Sequence, residues 1–184
     1  MQIPDAIRSS VLQRLRCMDR EARAILMRAA AIGRRFSVSV LTVTASCSES
    51  KVRAALEEAC RLQLTAAENP TYEFYVFRHA LTRDIIYAEL PTARIRPFHR
   101  SIARALERAR AAGGASLEDL AYHSWAAGDA ARALRYNELA GDNASTFHAQ
   151  DDARTYYIRA RSLLEVDSLA YRRLTAKLRA IGER

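Results

Sequence analysis

The chain has 184 residues, 29 of them Lys or Arg and 21 Asp or Glu, for a formal net charge of +8; this length suits one domain or two small ones. Apolar residues make up 49%, with only six glycines and four prolines, a balance that disfavours disorder and an all-β fold and favours helices packed around a core. No apolar run approaches the ~18 residues of a membrane span, and the opening MQIPDAIRSS lacks the charged-then-apolar layout of a signal peptide.

Cys17, Cys47 and Cys60 are odd in number and show no CxxC spacing, so reduced thiols in a cytoplasmic protein are expected. Only Lys51 and Lys177 are lysines. An arginine excess of this kind reflects a GC-rich genome more readily than a demand for bidentate phosphate contacts. The charge is also uneven: between Ala93 and Ala112 six arginines (94, 96, 100, 104, 108 and 110) face a single acid, Glu107.

In chain order, Asp5 is placed to cap a helix whose apolar residues Ile7, Val11, Leu12 and Leu15 share a face. Asp19 is placed to cap the next, with Ala22, Ile25, Leu26, Ala29 and Ile32 as its buried stripe. Gly33 follows, where a left-handed C-cap is wanted. Ser37 then opens VSVLTV, whose alternation suggests a strand, although the cap and the short length also allow a helix. Ser48 or Ser50 caps a clearer helix in which Val52, Ala55, Leu56, Ala59 and Cys60 follow the helical period. After Leu62 the pattern changes: LQLTA and YEFYVF are β-rich runs separated by the turn segment AENPT, with Pro70. Helices followed by such a hairpin make a winged-helix arrangement. The next helix, from about His79 to Leu90, buries Leu81, Ile85, Ile86 and Leu90 and ends at Pro91.

The second half reads as helical throughout. Phe98, Ile102, Ala105, Leu106 and Ala109 make one face, while Arg96, Arg100, Arg104 and Arg108 recur every four residues on another. Pro97 predicts a bend there or a later helix start. Gly113-Gly114 breaks the chain, and Ser116 with Asp119 resembles a capping box. Helices follow near Leu117–Ala127, Ala130–His148, Asp151–Leu164 and Ser168–Ile181. Trp125 and the tyrosines 122, 136, 156, 157 and 171 are read as interhelical filling. Ala153, Tyr157 and Ala160 have the small-large-small spacing of a tetratricopeptide (TPR) second helix, but no 34-residue repeat is visible. The expected fold is therefore mainly α: a winged-helix domain with a small β-hairpin over residues 1–91, then TPR-like antiparallel helix pairs over residues 92–184.

One stretch resists a packing explanation. YVFRHALTRDIIY, Tyr75 to Tyr87, begins as an alternating strand and ends as an amphipathic helix, and Arg78-His79 sits at the junction. An imidazole there can donate a hydrogen bond to a phosphate, best when protonated, and the helix start presents unpaired N–H groups that favour anions. The alternative is that His79 caps or packs the helix start.

The segments IPDAIRSSVLQRL, REARAILMRAAAIGRRFS, KVRAALEEACRLQLT, FRHALTRDIIYAELP, FHRSIARALE and YHSWAAGDAARALRY stand in this order along the chain. Together they resemble the C-terminal arm of bacterial STAND ATPases, the signal-transduction ATPases with numerous domains. Large ATP-binding LuxR-type regulators and related cyclases and kinases carry this arm. The resemblance implies a winged-helix domain followed by TPR-like helices. It further implies that His79, with Arg78 beside it, reaches ADP held by a nucleotide-binding ATPase domain and helps lock the closed state.

That domain is missing from this sequence. No GxxxxGK[ST] occurs, the glycines (33, 113, 114, 128, 141 and 182) make no phosphate loop, and no acidic motif can be assigned to magnesium. The expectation is a chain that begins where the ATPase part would end. It binds no cofactor by itself, and ADP or ATP belongs to an ATPase domain acting in cis or in trans. His99, His123 and His148 show no compact metal spacing and are read as surface or partly buried. Nothing resembles a nucleophile elbow. No catalytic or metal-binding residue is assigned, and no enzyme activity is expected.

Two function classes remain. The first is a regulatory and protein-interaction module of a nucleotide switch, with a protein or signal ligand on the TPR-like helices. Arg96, Arg100, Arg104 and Arg108 are then a docking face for an acidic surface, unless they are ordinary solvated arginines. The second is a winged-helix DNA-binding protein. Its recognition helix should be basic, yet Glu49 to Arg61 carries three acids against three bases. DNA is the disfavoured partner, and no membrane partner is expected.

Overall fold

The computed structural model describes residues 4–68, 71, 73–111 and 115–182. In chain order the elements are α1 (Asp5–Cys17), α2 (Arg20–Ile32), β1 (Arg35–Ser37), α3 (Val38–Ala45), α4 (Glu49–Arg61), β2 (Thr65–Ala67), β3 (Phe74–Phe77), α5 (Ala80–Ala88), α6 (Thr92–Ala111), α7 (Leu117–Ala126), α8 (Ala130–Thr146), α9 (Gln150–Arg161) and α10 (Leu169–Gly182). The chain is mainly helical with one small antiparallel sheet, and it divides into two compact units, Met1–Ala105 and Leu106–Arg184. The division falls inside α6. Among the described residues no helix is long and apolar enough to cross a membrane.

In the first unit, capping fixes where helices start. Asp19 accepts from the Ala22 N–H at 2.8 Å and Ser48 from the Lys51 N–H at 3.4 Å, each satisfying an amide that has no carbonyl one turn back. Asp5 is no cap; it is the first residue of α1, with Pro4 before it and no side-chain capping bond. Ile7 stays 42% exposed, so the buried face of α1 is narrower than its apolar stripe and rests on Val11 and Leu15. Gly33 closes α2 with φ 156° and ψ −172° rather than in the left-handed helical region. VSVLTV is a helix. Ser37 accepts from the Val40 N–H at 3.2 Å, and Thr44 donates its hydroxyl to the Val40 carbonyl at 2.9 Å. Val38, Val40, Leu41 and Thr44 are all buried. The open face of this helix carries Ser39, Thr42 and Val43, and because Val43 is apolar yet 51% exposed, the sequence carries no clean helical period and mimics alternation.

The sheet has the order β1-β3-β2. β1 is a strand that the sequence pattern does not announce; it sets Phe36 opposite Tyr75, where the two rings stack 6.3 Å apart. On the other edge Thr65 faces Phe77. Fully enclosed Leu26, Leu41, Leu56, Leu64, Phe77 and Ile86 form the centre of this unit's core. The expected turn around Asn69 and Pro70 lies outside the described residues.

α6 starts at Thr92 and runs through Pro97 without a later start. The missing Pro97 N–H leaves the Ala93 carbonyl without its helical partner, which the first, solvent-exposed turn tolerates. The Gly113-Gly114 break lies outside the described residues.

In the second unit, Ser116 caps α7 by accepting from the Asp119 N–H at 3.0 Å, and Asp129 caps α8 by accepting from the Arg132 N–H at 3.2 Å. Of the aromatic residues read as filling, Tyr136 and Tyr157 are buried, but Tyr122 and Trp125 are 41% and 38% exposed. Those two rings lie on the outer flank of α7, whose inner face is Leu120, Ala121, His123 and Ser124. A charged cluster ties α8 to α10. Glu138 accepts from Arg173 and Lys177, and Lys177 also reaches Asp142 at 2.6 Å. Burial alone would raise the Glu138 carboxyl, but the two cations hold it below its usual range.

α8 and α9 approach closely because Gly141 has no side chain. A Cβ at this position would lie 2.5 Å from Tyr157 Cε1. The ring is buried, and its hydroxyl donates to Asp142 at 2.7 Å, so it has little room to tilt. Alanine is the better helix former by about 1 kcal/mol, yet overpacking costs about 1–3 kcal/mol. Gly141→Ala is expected to lower the stability of this unit in a urea titration. A stabilised variant would mean that the Tyr157 ring moves aside freely.

Candidate functional site at the strand-to-helix junction

β3 alternates: Tyr75 and Phe77 point into the core, and Phe74 and Val76 are half-buried. α5 turns Thr82, Ile85 and Ile86 inward. Arg78 and His79 fall between the last inward strand residue and the first inward helix residue, and both are exposed. The backbone beneath them is held on both sides. The Phe77 N–H donates to the Arg34 carbonyl at 2.9 Å, and the Arg78 N–H donates to the Leu64 carbonyl at 3.2 Å.

His79 is the N-cap residue of α5, extended at φ −132° and ψ 145°, yet its side chain makes no capping bond. Its carbonyl accepts from Thr82 and Arg83, at 3.1 and 3.4 Å. The imidazole therefore neither caps the helix through its side chain nor packs into the core. Neither Arg78 nor His79 makes a side-chain hydrogen bond or ion pair with another described residue. The nearby Arg83 behaves differently. It donates from Nε to the Ala30 carbonyl at 2.7 Å, pairs with Asp84 at 3.1 Å and covers the Tyr87 ring. It belongs to the scaffold, whereas Arg78 and His79 offer donors outward beside a helix start, an arrangement suited to an anion.

Arg96, Arg100, Arg104 and Arg108 are all exposed on α6 and make no ion pair with a described residue. The first three lie in the first unit and Arg108 in the second. Glu107 does not neutralise the row, because Arg132 donates to it at 3.1 Å and the Tyr136 hydroxyl at 2.8 Å. On α4, by contrast, Lys51 is paired with Glu21 and Arg53 with Glu49. Two of that helix's three cations are thus already neutralised.

His99 and His123 are 0% and 1% exposed, which corrects their reading as surface or partly buried residues. His99 Nε2 and the Tyr87 hydroxyl are hydrogen-bonded at 2.9 Å. Burial first, and the Arg83 charge second, push the His99 imidazole down to about 4. A sequence signal existed: His99, Ile102 and Leu106 are spaced i, i+3 and i+7 on the buried face of α6. His148 is exposed in the α8–α9 turn. Among the described residues no group of three His, Cys, Asp or Glu side chains is placed to hold a metal ion. No protein-family model matches the chain, and no curated protein matches it.

Proposed function

We propose that the chain is a regulatory and protein-interaction module, without catalysis of its own, of a STAND-type nucleotide switch. The first unit acts as a winged-helix domain. Arg78 and His79 at the end of its hairpin meet the phosphates of ADP on a nucleotide-binding ATPase domain, in cis or in trans, and hold that domain in its closed state. The second unit acts as a TPR-like receiver for a partner or signal.

The observation that carries this reading is the exposed His79 imidazole, set on a rigid strand end with no capping or packing role. The element order supports it as well: two helices, a strand, two helices and a hairpin, with the first strand added beside β3. The unneutralised Arg96, Arg100 and Arg104 supply a face for an acidic surface of the ATPase domain. Like charges at this spacing repel by a few tenths of a kcal/mol per pair, so an acidic cover is favourable.

Combined with its cognate ATPase domain, the His79→Ala chain is expected to let ADP go more easily than the wild type. Loss of one charge-assisted hydrogen bond is worth about 1.5–3 kcal/mol, or about ten- to a hundredfold in ADP affinity. Unchanged ADP affinity would make His79 a surface residue of no consequence to the switch. The exposed arginine row also sustains a second reading, a DNA binder. Tight, salt-sensitive binding to random duplex DNA, abolished by Arg100→Glu with Arg104→Glu, would select it. The charge balance and internal pairing of α4 favour the first.

A further inference from the structure

The second unit, proposed above as a receiver, carries a groove that involves neither Arg78 nor His79. It lies along α9 and α10 and has a volume of about 520 Å³. On α9 it is lined by Arg154, Ile158 and Arg161, spaced i, i+4 and i+7, so they share one face. On α10 it is lined by Thr175, Leu178 and Arg179, again at helical spacing. The floor is apolar: Leu178 packs against the core of the unit, and Ile158 is 46% exposed. The rims are cationic, and none of the described lining residues is acidic. Arg161 is anchored, donating to the Thr175 hydroxyl at 3.4 Å and lying over the Tyr171 ring. Arg154 and Arg179 are exposed and have no ion-pair partner among the described residues.

We infer that this groove receives an amphipathic helix whose apolar stripe is flanked by acidic side chains. Arg154 and Arg161 stand about 10 Å apart along the helix axis, two turns of α-helix, so the α9 rim extends far enough to meet successive turns of a third helix, with Arg179 of α10 across the groove. Ile158 and Leu178 accept its apolar stripe, as helix-in-groove recognition requires. The guanidiniums flank that stripe and pair with carboxylates, for which their planar forks are suited. A basic helix is rejected by the same charges, which gives the groove its selectivity.

The test uses the full chain and a labelled synthetic helix with leucines on one face and glutamates on both sides of them. No ATPase domain is needed, so its outcome is independent of the ADP reading. The expected result is saturable binding that weakens with salt, falls about tenfold or more in Arg154→Glu with Arg179→Glu, and falls similarly in Ile158→Asp. All three side chains are exposed, and circular dichroism checks that the variants keep their helices. Arg100→Glu with Arg104→Glu is expected to leave binding intact. Four outcomes would overturn the inference: no binding by the wild type, equal binding of a lysine-for-glutamate helix, equal binding of a glutamate peptide without leucines, or unchanged binding by both groove variants.

Discussion

Ile85→Ala is expected to destabilise the first unit by about 2–5 kcal/mol, the cost of deleting a buried branched side chain and leaving a partly collapsed cavity. Ile85 is 2% exposed and belongs to the same core as Leu26, Leu56, Phe77 and Ile86. It matters more than an average core position because α5 is the element that follows Arg78 and His79 and packs against α1 and α2. A loosened α5 also loosens the junction. Urea titration followed by hydrogen exchange across α2, α4 and α5 should show a lower midpoint with an unchanged slope. A loss of only a few tenths of a kcal/mol would show that this face of α5 does not carry the packing.

Acidification is expected to weaken the same unit through His99. The folded imidazole titrates at about 4, whereas in the unfolded chain it titrates near 6.5. The folded value is the lower one, so the unfolded chain binds the extra proton first as pH falls. The stability contribution is therefore complete above about 6.5 and is lost between about 6.5 and 4. That difference amounts to about 2 kcal/mol by pH 5 and about 3 kcal/mol by pH 4. The groups around the imidazole explain the direction. It is fully enclosed, its bonded neighbour Tyr87 is neutral, and the nearby charge on Arg83 opposes a second cation. Unfolding measured at pH 7, 5 and 4 in the wild type and in His99→Gln should show the steeper loss in the wild type. Equal slopes would mean that His99 takes up its proton without leaving its place.

The same residues show what a sequence can and cannot reveal. Helices with a polar cap and a one-sided apolar stripe were readable, because both signals are local: Asp19, Ser48 and Ser116 each bond their own helix three residues on. α3 was ambiguous because its exposed face carries Val43, an apolar β-branched residue that blurs the helical period. β1 was missed because three residues hold too little alternation, and Phe36 becomes a strand residue only through Tyr75, far along the chain. The exposure of Trp125 likewise depends on what faces it from another helix, whereas the burial of His99 was legible in its spacing with Ile102 and Leu106. For the candidate site, the change of period at Arg78-His79 was visible in advance. That the imidazole stays out of the core and makes no cap required the three-dimensional arrangement. The groove on α9 and α10 was hidden because its two rims come from separate helices, each of which alone reads as an ordinary arginine-bearing surface.

A chain that restrains a nucleotide switch, as proposed, must bind one nucleotide state better than the other. The direct measurement is the affinity of this chain for its cognate ATPase domain, loaded in one case with ADP and in the other with a non-hydrolysable ATP analogue. Tighter binding to the ADP form is expected, by about tenfold or more, with most of the preference removed in His79→Ala. Equal affinity for the two forms would contradict the proposed restraint, however tight that binding proved.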